Sequence, residues 1–193
     1  MSLSKKLPSF IIVFAALFIL FYGFYVILNL VDLDSIYSYV NVDVTEIDET
    51  TFNDAGYFIQ YGYPEIKGLS IRLLTLLSAI LVFSITFSEK IVKFSEANHY
   101  ARLVLFISWT FFILAIVSDG FGLAFNGLAL PYAITDNHSI KFNKNYSADF
   151  YEFSANSILC IIFSGFLFIV GMVCILISGI LANINPRKVE SKG

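Results

Sequence analysis

Four stretches of this chain are almost uninterrupted in apolar residues, and the segments between them are polar or mixed. The runs lie at 10–31, 69–87, 103–125 and 157–182. Each is close to the roughly 20 residues an α-helix needs to cross a hydrocarbon core about 30 Å thick, so the pattern predicts four transmembrane helices. Outside them the period changes. In Tyr39-Val40-Asn41-Val42-Asp43-Val44-Thr45 valines alternate with polar residues, and Ser139-Ile140-Lys141-Phe142-Asn143 alternates in the same way. That is the period-2 signature of a half-buried strand. Tyr57-Phe58-Ile59-Gln60-Tyr61 is a third β-rich run, closed by Gly62 and Pro64. A lone hairpin is marginal in water, so these strands are expected to rest on the helix ends. The fold expected is an all-α membrane protein: a four-transmembrane-helix bundle with a small β-rich region built from the two outer loops, 32–68 and 126–156.

Composition closes off the soluble alternative. Hydrophobic residues make up 58% of the 193 and charged residues 14%, with 21 Phe and 11 Tyr; mean hydropathy is +0.78. Too few polar residues remain to cover a water-facing surface without large apolar patches. Charge then sets the sides. Lys5, Lys6, Lys90, Lys93, Arg102, Arg187, Lys188 and Lys192 flank one set of span ends, against Lys67, Lys141 and Lys144 on the other. The positive-inside rule puts the N-terminus (1–9), the loop at 88–102 and the tail (183–193) in the cytoplasm. The first span is too long and too aromatic for a cleaved signal peptide and is expected to remain as an anchor.

Asn137-His138-Ser139 and Asn145-Tyr146-Ser147 are glycosylation sequons in the same outer loop. They point to an integral membrane protein of the eukaryotic secretory pathway, at the plasma membrane. Cys160 and Cys174 share the fourth span about 21 Å apart, so they cannot bridge within it, and neither outer loop carries a cysteine.

Chemistry is sparse. Two ionisable residues, Arg72 and Asp119, fall inside spans, where such groups are functional candidates by default. Both belong to the outer leaflet of neighbouring antiparallel helices, so a buried Arg72–Asp119 pair is expected. The alternative has Arg72 snorkelling to the head groups and Asp119 facing a watery crevice. No deeper His, Glu or Lys offers a relay across the membrane. The glycines of Asp119-Gly120-Phe121-Gly122 read as sites of close helix approach or a kink. In the fourth span Ser157, Ser164, Gly171 and Ser178 recur every seven residues, with Cys160 and Cys174 three positions after Ser157 and Gly171. Small residues on one heptad face let helices pack closely in lipid, which makes this stripe the helix-packing seam. The acidic first loop, with Asp43, Glu46, Asp48 and Glu49, matches no calcium-loop spacing and reads as a solvated acidic face. There is no Gly-rich phosphate loop, CxxC, HExxH or histidine pair within the spans, and no basic patch for nucleic acid. No metal, cofactor or catalytic residue is expected.

The layout of four spans, cytoplasmic termini, a long first outer loop and a short cytoplasmic turn resembles the claudin superfamily, including fungal PalI-type tetraspans. The aromatic segment Gly56-Tyr57-Phe58-Ile59-Gln60-Tyr61-Gly62-Tyr63 and Arg72 at the entry of the second helix stand where those families place comparable features. The resemblance is one of topology, because the Trp and Cys motif of the claudin first loop is absent here. It implies a nonenzymatic scaffold that organises a membrane complex or microdomain, with lipids and other membrane proteins, or a second copy of itself, as partners. A small accessory subunit of a channel or transporter using Arg72 and Asp119 in a polar crevice is the alternative. A lipid-modifying enzyme would want clustered His, Asp or Glu, which the sequence does not provide.

Overall fold

The structure, a computed structural model, describes residues 7–30, 56–92, 97–138 and 144–184. It is nearly all helical there. Helix α1 is Leu7–Leu30. A π-helical turn, Phe58–Gly62, leads into α2, Tyr63–Thr86, followed by the short α3, Ser88–Val92. The two longest helices are α4, His99–His138, and α5, Lys144–Ile184. Four segments are long and apolar enough to cross a membrane: Ile11–Asn29, Phe58–Thr86, His99–Ile134 and Asp149–Asn183. They mark the chain as an integral membrane protein. Large apolar side chains such as Phe14, Phe18, Phe21, Val82, Ile169 and Leu176 stand exposed on them, which lipid solvates and water would not.

No strand occurs among the described residues. The run 57–61, expected as a strand, is helical. Tyr57 and Tyr61 stack with ring centroids 6.3 Å apart, an i,i+4 contact that only helical spacing provides, and Phe58 is turned into a buried cluster. Packing of one aromatic has overridden local β-propensity, which is mostly a preference for a half-buried pleated surface. The other two expected strands, 39–45 and 139–143, lie outside the described residues, as do the acidic residues Asp43, Glu46, Asp48 and Glu49.

The helices also run past the spans that hydropathy marks. With 40 residues in α4 and 41 in α5, each is about 60 Å long at 1.5 Å per residue, about twice the thickness of the hydrocarbon core. Much of the segment 126–156, expected as an outer loop, is therefore the continuation of two transmembrane helices. Asn137 falls in the last turn of α4 and Asn145 in the first turn of α5.

The chain divides into two units. The first comprises Met1–Phe24, Thr75–Ile116 and Gly165–Gly193. Its core joins Ala97, Ala101 and Leu105 with Trp109, Ile175, Leu181 and Ala182. Ser178 Oγ donates to the Ala101 carbonyl at 2.6 Å, and Ser108 Oγ to the Gly171 carbonyl at 2.7 Å. A Cβ on Gly171 would come within 2.8 Å of the Phe112 ring, so the missing side chain is what lets that ring in. Asn98 seals two helix ends at once. Its Oδ1 accepts from Ala101 N–H at 2.8 Å, an N-cap on α4, and its Nδ2 donates to the Leu181 carbonyl near the end of α5 at 3.3 Å. Helix α1 contributes a narrow stripe: Ile12, Ala16 and Leu20 are half-buried and Gly23 is buried, with Gly23 directly beneath the Phe166 ring.

The second unit comprises Tyr25–Leu74 and Val117–Ser164. Its core is aromatic. Phe58, Ala129, Ala133 and Phe150 are buried together, with Tyr63, Tyr132, Tyr151 and Phe153 packed around them. Phe58 meets Phe150 edge-on at 5.0 Å, and Phe153 stacks on Tyr132 at 5.5 Å and on Phe125 at 6.3 Å. Pro131, inside α4, is exposed and leaves the helix unbroken to His138.

Candidate functional site

The residue with the least ordinary surroundings is Asp119. It sits on the face of α4 turned toward α2 in the second unit, with no exposed surface. The Ser70 side chain of α2 lies beside its carboxylate, also with no exposed surface. The Ser70 hydroxyl is near enough to be the carboxylate's hydrogen-bonding neighbour, yet neither carboxylate oxygen nor Ser70 Oγ completes a bond of good geometry with any group. One heptad further along α4 and one heptad back along α2, Asn126 Nδ2 donates to the Tyr63 carbonyl at 3.3 Å, while its Oδ1 is buried without a partner. The two contacts share one antiparallel register, so α2 and α4 meet along a polar stripe within an otherwise apolar interface. Such unsatisfied buried atoms are few in native proteins, and each calls for an explanation.

Arg72 does not complete this site. It is exposed and borders a shallow pocket of about 370 Å³ with Pro64, Glu65, Gly68 and Leu69, whereas neither Asp119 oxygen completes a hydrogen bond. The reason is angular. Residues two apart on a helix differ by about 200° in direction, so with Ser70 turned toward α4, Arg72 must turn away. Depth in the membrane placed the two charges in one layer, but helix face decides contact. Lys67, the nearest other base on α2, lies over the Tyr63 ring at 5.7 Å.

The fourth-span stripe faces α4 in both units. In the second, Ser157 Oγ donates to the Gly122 carbonyl at 2.7 Å, and the Cys160 carbonyl accepts from Ser118 Oγ at 2.8 Å. In the first, Gly171 and Ser178 make the contacts given above. Ser157, Ser164, Gly171 and Ser178 are buried, and Cys160 and Cys174 are half-buried free thiols at its edge. Of the glycines beside Asp119, Gly122 is the close-approach position: an added Cβ would lie 2.8 Å from Ile161 Cγ1 and 3.0 Å from the Ser157 carbonyl oxygen. Gly120 has nothing within 4 Å.

A matching feature on α4 went unnoticed in the sequence. Ala101, Ser108, Ala115, Gly122 and Ala129 also recur every seven residues, and all five are buried. They could have been found by applying to the third span the heptad test that exposes the stripe in the fourth. Ser70 and Asn126 were missed for another reason: a lone serine near a span's start and an asparagine at a span's end read as boundary residues. Among the described residues no group of three or more His, Cys, Asp or Glu comes together. No family model matches the chain, and neither curated proteins nor solved structures include a match.

Proposed function

We propose that this chain is a nonenzymatic four-span membrane protein that assembles or organises a membrane complex, using the outer ends of its helices and its lateral helix faces. The observation that carries the reading is a division of surfaces. Along the α4–α5 contacts, taken within each unit, the hydroxyls of Ser108 and Ser178 in the first and of Ser118 and Ser157 in the second are committed to backbone carbonyls of the opposing helix. Most large side chains of α1, among them Phe14, Phe18 and Phe21, and those of one face of α2, such as Val82 and Phe83, are exposed and can meet lipid or another helix. The helical ends around the Phe58–Phe150 cluster would stand on the outer side, presented to a partner. A claudin-like or PalI-like role and residence at a eukaryotic plasma membrane belong to this proposal.

Purification of the tagged full chain in mild detergent, after cross-linking in its native membrane, is the test. A membrane protein or second copy recovered in fixed ratio supports the reading. A chain recovered alone and monomeric would overturn it. The second reading, an accessory subunit of a channel or transporter, is favoured by one observation, the buried carboxylate of Asp119. It no longer has Arg72 as a partner for that group. Loss of an ion-dependent flux in Asp119→Asn with assembly intact would establish it in place of the first.

A further inference from the structure

We propose that the Ser70–Asp119 contact is a binding site for a small, hard, monovalent cation, with sodium as its ligand. The donor atoms decide the class. Three oxygens belong to this contact, Asp119 Oδ1 and Oδ2 and Ser70 Oγ; the two side chains are neighbours, both residues are fully buried, and none of the three atoms completes a hydrogen bond of good geometry. Oxygen donors without nitrogen or sulfur suit hard cations rather than zinc, copper or iron. A single carboxylate carries one negative charge, and the basic residues of α2 are turned elsewhere, Arg72 outward and Lys67 onto Tyr63. A bound monovalent ion leaves the site neutral. A divalent ion would leave one positive charge in a low-dielectric interior, where an uncompensated charge is costly. Asn126 Oδ1 stands two turns along α4, about 10 Å away, beyond the reach of the same ion. The remaining ligand positions would fall to helix carbonyls, each of which has a second lone pair.

The neighbouring side chains leave the site to the ion. Ser118, next to Asp119, gives its hydroxyl to the Cys160 carbonyl, and Ser157 gives its own to Gly122. The hydroxyl beside the carboxylate that is not spent on backbone is that of Ser70. An ion there would cross-link α2 to α4, since one ligand comes from each helix. The proposal is independent of the assembly role. A scaffold would use the ion as a structural clip, and a failed co-purification would leave the site standing.

The test uses purified full chain in detergent or bicelles, with thermal unfolding followed as sodium chloride replaces choline chloride at constant ionic strength and constant pH. The expected result is an unfolding midpoint that rises with sodium and saturates, with calcium unable to substitute. Ser70→Ala should move the half-saturating sodium concentration upward by tenfold or more. Asp119→Asn should abolish the sodium response whether its own midpoint is higher or lower, and Asn126→Leu should keep it. Equal midpoints in sodium and choline overturn the proposal. So does a sodium response that survives Asp119→Asn or is unmoved in Ser70→Ala. A midpoint that follows pH alone, with no sodium response at any pH, would mean that the site takes a proton, and would overturn it as well. If Asp119→Asn fails to fold, the Ser70→Ala shift decides.

Discussion

Replacing Gly122 by alanine puts one methyl group where α4 and α5 are closest in the second unit. The new Cβ would lie 3.0 Å from the Ser157 carbonyl oxygen and 2.8 Å from Ile161 Cγ1, with Cys160 Cβ at 3.3 Å. The carbonyl is backbone and cannot swing aside, and Ile161 is buried, so the helices must part by a few tenths of an ångström. Overpacking of this kind costs about 1–3 kcal/mol. Parting the helices also lengthens the Ser157 Oγ to Gly122 carbonyl hydrogen bond, now 2.7 Å, which in a membrane protein is worth about 0.6 kcal/mol. Against this, losing a helical glycine contributes about 0.5–1 kcal/mol of stability. Gly120→Ala, two residues away in the same helix with nothing within 4 Å of its Cβ, gains the same propensity and meets no clash. The difference between the two variants cancels propensity and isolates the contact. Gly122→Ala should be about 2–3 kcal/mol less stable than Gly120→Ala by equilibrium unfolding in mixed micelles. Equal stability, or Gly122→Ala the more stable, would show that the glycine is not what sets the helix separation.

Three further outcomes follow from the geometry. Asn98→Ala removes the α4 N-cap and the link to the Leu181 carbonyl together; a loss of about 1–2 kcal/mol is expected in the same unfolding assay, with Asn98→Asp recovering the cap but not the link. A double-mutant cycle on Phe58 and Phe150, whose rings meet at 5.0 Å, should give a coupling of about 0.5–1.5 kcal/mol, and additive single variants would contradict the cluster. In a eukaryotic host, glycosidase treatment should reduce the apparent mass of the protein. Asn137→Gln combined with Asn145→Gln should remove that shift, and a shift that persists would contradict the proposed sidedness.

Sequence and structure diverge in an orderly way. The membrane spans were legible because hydropathy is a local sum that no tertiary contact has to correct. The fourth-span stripe was legible because period seven is visible in the letters Ser, Ser, Gly, Ser. Its counterpart on α4 was harder to see, since Ala101, Ala115 and Ala129 count as ordinary apolar residues in a hydropathy reading. The helical extensions were lost for the opposite reason: Asn137, Lys144, Asn145 and Asp149 are polar, and polarity near a span end reads as loop even where the helix continues. The segment 57–61 was misjudged because aromatic residues favour strands on average, whereas here Phe58 gains more from the Ala129–Ala133–Phe150 surface. Asp119 was recognised from its rarity in a span, but its neighbour was not. Choosing Ser70 over Arg72 requires knowing which side of α2 faces α4, and a helix apolar on nearly all sides does not reveal its own rotation.

The burial of Gly23 beneath Phe166 bears on the order of events during synthesis. About 140 residues separate the two, and a ribosome adds roughly 5–20 residues per second, so Gly23 is made roughly 7–28 s before its partner on α5 exists. For that interval the first helix is a lodger in the lipid, soluble there because so much of its surface is Phe, Tyr, Ile and Leu. This contact must await the last span. A chain interrupted after α4 would therefore leave α1 without this berth, and a quality-control system that senses unpaired helices would find there the sign of an unfinished protein.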